Sequence, residues 1–161
     1  MLAEADRYQF QWWALSVVRA KPIGGKEKKG ADRGIDGVFT FVDDTTGTMK
    51  RCLVQVKSGH LSSSTIRDLV GTLNREKAVM GLLVTLEPST APMRQEVAEA
   101  GDYFSPGWNR EYSKLQVLTI AELLAGKKAD LPPMRATFAR AGRMTAPGHR
   151  QPALAGLFED A

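Results

Sequence analysis

The chain is poor in the residues that build disulfides and soft-metal sites. Cys52 is its single cysteine, and His60 and His149 are its only histidines. One cysteine excludes an internal disulfide framework, and a thiol set in an apolar run reads as a buried residue of a reducing compartment. Without CxxC or HxxxH spacing, the usual zinc sites are excluded. No run approaches the ~20 apolar residues of a membrane span. The start lacks the basic, then apolar, then small-residue order of a signal peptide, so the expected location is the cytoplasm. There is no internal repeat, and no Gly-rich cofactor loop follows an early strand.

What remains is an ordinary globular composition. The chain has 161 residues, 43% hydrophobic and 25% charged. That suffices for one domain with a core that needs no staples. The net charge of +4 leans mildly toward a polyanionic partner and gains weight only where it collects. It collects in Lys26, Lys28, Lys29 and Arg33, between Gly24-Gly25 and Gly34.

Periodicity organises the rest. Residues 6–19 read as an amphipathic helix with Phe10, Trp13, Ala14, Val17 and Val18 on one face, stopped by Pro22 and Gly24-Gly25. Trp12 and Trp13 are expected in the core or at an interface. Residues 37–42 are β-branched and aromatic, Asp43-Asp44-Thr45-Thr46-Gly47 is a turn, and residues 51–57 return as the second strand of a hairpin. Ser62-Ser63-Ser64 opens a helix to about Val79 with Ile66, Leu69, Val70 and Leu73 inward. Residues 81–86 form a buried strand. Pro92 starts a helix with Met93, Val97 and Ala100 inward. Residues 115–118 form a strand, and Thr119 and Glu122 have capping-box spacing before a short helix stopped at Gly126. The order α, β-hairpin, α, β, α, β, α predicts an α/β fold with a mixed sheet flanked by helices. The domain is expected over residues 1–127. Residues 128–161, with Pro132-Pro133 and scattered arginines, read as a basic flexible tail.

The chemistry sits in Gly34-Ile35-Asp36-Gly37 and Val54-Gln55-Val56-Lys57. Strand side chains alternate faces, so Gln55 and Lys57 share one face while Cys52, Val54 and Val56 share the other. An amide and an ammonium on one face of a central strand are hard to explain by packing. Phosphodiester hydrolysis asks for a hard cation, an aligned water and a positive group for the transition state. Asp36 offers a carboxylate, Gln55 a neutral oxygen and Lys57 a mobile charge. Alone, Asp36 reads as a turn cap, Lys57 as a strand-end lysine reaching for water, and the basic loop as a solvated run.

The stretch from Gly30 to Gly37, with Asp32, Gly34 and Asp36, together with Gln55-Val56-Lys57, resembles the PD-(D/E)xK nuclease motif. More narrowly, it resembles Mrr-like restriction endonuclease domains, in which Gln replaces the usual acid, and the related domains at the C-terminus of some DNA methyltransferases. The resemblance covers residues 6–126. It implies a restriction-endonuclease-like fold and a DNA endonuclease dependent on Mg2+, with Mn2+ as a substitute. It also implies Asp36, Gln55 and Lys57 as catalytic residues, and Asp36, Gln55 and the Val56 carbonyl as metal ligands. Many relatives carry a first-helix Glu where this chain has Gln11; Gln11 and Asp32 are the auxiliary candidates. Lys26, Lys28, Lys29 and Arg33 would be phosphate contacts. DNA is the expected partner, with a homodimer and a methyltransferase or specificity subunit as further expectations. The rival readings are an inactive DNA-binding module and an accessory portion of a DNA methyltransferase.

Overall fold

The computed structural model describes residues 7–23 and 34–133. Lys26, Lys28, Lys29, Asp32 and Arg33 lie outside the described residues, as does the chain beyond Pro133.

The elements are α1 (Arg7–Val18), β1 (Lys21–Pro22), β2 (Gly37–Phe41), β3 (Lys50–Lys57), α2 (Ser63–Glu76), β4 (Met80–Thr85), α3 (Ala91–Glu99), β5 (Asp102–Ser105), β6 (Arg110–Ser113), β7 (Leu115–Thr119) and α4 (Ile120–Leu124). Five strands form one mixed sheet in the order β1-β2-β3-β4-β7. The β2–β3 hairpin is antiparallel, with Gly37 opposite Val54 and Phe41 opposite Lys50. Its turn is fixed by Asp44, whose Oδ1 accepts from the Thr46 amide at 3.0 Å and the Thr46 hydroxyl at 2.6 Å. The Thr46 hydroxyl also does most to hold the Asp44 carboxyl below its ordinary range. β3, β4 and β7 are parallel, so each connection must cross over the sheet.

Two apolar layers close the two faces. Phe10, Ala14 and Leu15 of α1, with Ile120 of α4, pack on Phe39, Cys52, Val54, Leu82, Val84 and Leu118. Ile66, Leu69 and Leu73 of α2, with Met93 of α3, pack on Leu53, Leu83 and Leu115. β4 is buried along its whole length, which accounts for its continuous apolar sequence. Burial of Cys52 pushes its thiol up to about 12.

The predicted elements are present, with four corrections. The buried face of α1 is Phe10, Ala14 and Leu15, while Trp12 and Trp13 are 40% and 38% exposed, so the tryptophans are not core. Leu15 reaches the sheet because position 37 is glycine: a Cβ there would stand 2.6 Å from Leu15 Cδ2. α2 stops at Glu76, because Lys77 turns left-handed with φ 53° and closes the helix. A second sheet, the β5–β6 hairpin, fills the β4–β7 crossover. Residues 128–133, assigned to the tail by sequence, dock on the domain. The Asp130 amide donates to Gln116 Oε1 at 2.8 Å, Arg110 pairs with the Asp130 carboxylate at 2.7 Å, and Leu131 packs against the core. Among the described residues no helix is long and apolar enough to cross a membrane.

Candidate nuclease-like site

Asp36 stands at the entrance to β2 and is held from four directions. Its amide donates to the Val54 carbonyl at 2.8 Å, and its own carbonyl accepts from the Ile23 amide at 3.0 Å. Its Oδ2 accepts from the Val56 amide at 2.6 Å. Its Oδ1 accepts from Gln11 Nε2, on α1, at 2.7 Å. The aspartate therefore clasps β3 on both sides of Gln55 and ties the strand to the first helix. An ionised carboxylate only accepts, so the Gln11 amide must present its nitrogen here and not its oxygen.

Gln55 lies on β3 and is 8% exposed. Its Oε1 is buried with no hydrogen-bond partner. The other end of the same amide faces Gly34, where an added Cβ would sit 2.9 Å from Gln55 Nε2. Gly34 has φ +70°, a conformation that glycine adopts without steric cost. Glycine thus serves position 34 twice, by backbone angle and by close approach. Lys57 ends β3 and is exposed. His60 follows it and is exposed too, in keeping with a solvated loop histidine.

The structure thus brings together Gln11, Asp36, the backbone of residues 54–56 and, through Gly34, the Gln55 amide. Val56 takes part through its N–H. Gln11 stands out in the sequence only by its helix position. The Gly34–Gln55 contact has no sequence signal beyond a glycine ahead of a strand.

A divalent cation is the group this fold implies, and the residues as they stand do not fit one. Among the described residues no three His, Cys, Asp or Glu side chains come together. Both Asp36 oxygens already accept from N–H donors, and the Gln11 amide offers nitrogen. One atom departs from this pattern: the unpartnered Gln55 Oε1.

A model of the family described as NACHT-associated inactive restriction endonuclease 1 matches residues 22–125, more than half of the chain. The chain belongs to this family. No curated protein matches it. Among solved structures it is similar to the MspJI restriction endonuclease in complex with a 27-mer oligonucleotide, at 17% identity and a TM-score of 0.56. The likeness covers 77% of this chain and 28% of that enzyme's chain, so this chain spans little more than a quarter of the enzyme's length. The shared part is the restriction-endonuclease-like fold, a mixed sheet flanked by helices. The family match starts at β1 and ends just after α4, so it takes in Asp36, Gln55 and Lys57 while leaving Gln11 outside.

Proposed function

We propose that this chain is a DNA-binding domain on a restriction-endonuclease scaffold that does not cut the DNA it binds. The observation that carries the reading is the state of Asp36. A cutting centre of this kind uses its acid to hold a hard cation beside the phosphate. Here the acid is a structural rung, with Gln11 and Val56 donating to its two oxygens. The word "inactive" in the family's name agrees.

DNA is the favoured partner on charge and position. Lys57 is exposed at the end of β3. Ile23 and Gly34, which flank the basic segment of Lys26, Lys28, Lys29 and Arg33 in the chain, both meet the site. The enzyme of similar fold was solved with an oligonucleotide. Within that fold, the resemblance of Asp36 and Gln55-Val56-Lys57 to the PD-(D/E)xK motif supports a kinship with the Mrr-like group.

A second reading, a Mg2+-dependent deoxyribonuclease, is favoured by Lys57 and by the unpartnered oxygen of Gln55. One experiment separates the two. Duplex DNA binding is measured by fluorescence anisotropy in EDTA across a salt series, beside supercoiled-plasmid cleavage in Mg2+, Mn2+ and EDTA. The proposal expects binding that weakens linearly in log salt, no metal-dependent scission, and a salt slope shallower by about 1 in Lys57→Ala. Metal-dependent nicking that Lys57→Ala abolishes would establish the nuclease instead. Absence of DNA binding at low salt would remove both readings.

A further inference from the structure

We propose that Gln11 is a positioning residue that keeps a divalent cation out of this site, by supplying to Asp36 the positive end of an amide where a cation would otherwise sit. The inference rests on the non-cutting reading and deepens it by naming the residue responsible.

What each group is able to do comes first. Asp36 Oδ1 must be satisfied by a donor or a cation, because a carboxylate has nothing to donate. Gln11 Nε2 stands 2.7 Å away and fills that role, and the Val56 amide fills it for Oδ2 at 2.6 Å. The carboxylate is thereby satisfied without any metal. Glutamate has nearly the shape of glutamine but cannot donate when ionised. At position 11 it would set a second carboxylate at hydrogen-bond distance from the first. Two carboxylates so placed must share a proton or take up a cation.

Asp36 is thus the one carboxylate that a cation would have to win from its two N–H donors. Gln55 Oε1, on the neighbouring strand, is buried with no hydrogen-bond partner. Carboxylate and carbonyl oxygens suit Mg2+, Ca2+ and Mn2+. Gln11 itself is half-buried on α1, next to the buried Phe10. The helix is thus held to the sheet by apolar packing on either side of this residue, and the exchange of one atom type need not move it.

The test is Mn2+ binding, with no DNA present, by isothermal titration calorimetry on the full chain and on Gln11→Glu and Gln11→Ala. The wild-type chain is expected to show no saturable binding into the millimolar range. Gln11→Glu should bind at least about tenfold tighter than wild type, with a melting temperature that rises on adding Mn2+. Gln11→Ala removes the donor without adding charge, so it should bind several-fold tighter than wild type and less tightly than Gln11→Glu. A wild-type affinity equal to that of Gln11→Glu overturns the proposal, as does a folded Gln11→Glu with no gain. If Gln11→Glu fails to fold even with Mn2+, Gln11→Ala decides, and its unchanged affinity would sink the idea. DNA binding in EDTA is read separately on the wild-type chain: its loss would refute the DNA-binding reading and leave the role of Gln11 standing.

Discussion

Val56 donates its amide hydrogen to Asp36 Oδ2 at 2.6 Å, which makes a side chain part of the ladder between two strands. With the Asp36 amide bonded to the Val54 carbonyl at 2.8 Å, the aspartate extends the pairing one step beyond Gly37. An acid that serves catalysis alone commonly costs stability, because its pocket is built for a ligand. This acid does the reverse.

Asp36→Ala should therefore destabilise the fold, by about 2 kcal/mol, because it leaves the Gln11 amide and the Val56 N–H without their charged acceptor. Urea denaturation followed by circular dichroism measures this. A stability equal to or above that of the wild type would show that Asp36 is not a structural element.

Gly34→Ala should cost about 1–2 kcal/mol from its left-handed backbone alone. It also drives a methyl to 2.9 Å from the Gln55 amide nitrogen. The same denaturation assay applies, and the double variant Gly34→Ala with Gln55→Ala should recover the part of the loss due to contact.

Tyr103→Phe should cost about 1–3 kcal/mol, because the tyrosine hydroxyl donates at 2.6 Å to an Asp43 carboxylate whose other oxygen is buried without a partner. The ring stays in place against Phe41, with centroids 6.4 Å apart, so the loss isolates the hydrogen bond. Amide exchange in β5 and β6 should quicken more than in β4.

Alkaline pH should weaken the fold. Burial pushes the Cys52 thiol from 9.0 up to about 12. Burial, then the hydrogen bond to Asp43, pushes the Tyr103 hydroxyl up as well. Both groups are neutral when protonated, so the folded chain retains protons that the unfolded chain releases. The Cys52 contribution is complete below about pH 9 and is lost as pH rises toward 12, and that of Tyr103 is lost from its ordinary value of 10.0 upward. The loss is at most about 1.4 kcal/mol per pH unit for Cys52, and less for the Tyr103 hydroxyl, which solvent screens. Urea midpoints at pH 8 and pH 10.5 test the sign, and Cys52→Ala should flatten the difference. The folded chain should also leave Cys52 unmodified by a thiol reagent at pH 8 until urea is added.

Much of this architecture is legible in the sequence, and the exceptions share a cause. The β2–β3 hairpin, α2, β4 and the Thr119–Glu122 cap are written in local patterns: alternation, an apolar run, a three-residue cap spacing. The structure shows Glu122 Oε2 accepting from the Thr119 amide at 2.8 Å as that spacing predicts. The β5–β6 hairpin is hidden because Asp102-Tyr103-Phe104-Ser105 and Arg110-Glu111-Tyr112-Ser113 are short, half exposed and largely polar. Their alternation carries weight only once Tyr103 and Tyr112 are known to face the core. The face of α1 misleads because the large ring of Trp13 weighs toward burial, whereas the glycine at position 37 lets Leu15 reach the sheet instead. In the site, motif spacing singles out Asp36, Gln55 and Lys57. The identity of the group opposite Asp36 depends on a contact 25 residues away in sequence, which no spacing encodes.

The β5–β6 excursion divides the labour of the molecule between two poles. Asp36 sits where Gly37 pairs with Val54, whereas Asp43 follows the opposite end, where Phe41 pairs with Lys50. At about 3.3 Å per residue, the length of β3 sets these poles roughly 20 Å apart. Tyr103 moors the hairpin to Asp43, and Gly107 lies so close to the Asp43 backbone that a Cβ there would not fit, so the 106–109 turn is carried at the pole remote from Asp36. The crossover is a handle. A larger polypeptide, or an experimenter's dye, attached to an exposed residue of this turn other than Gly107 leaves the Asp36 end unshaded.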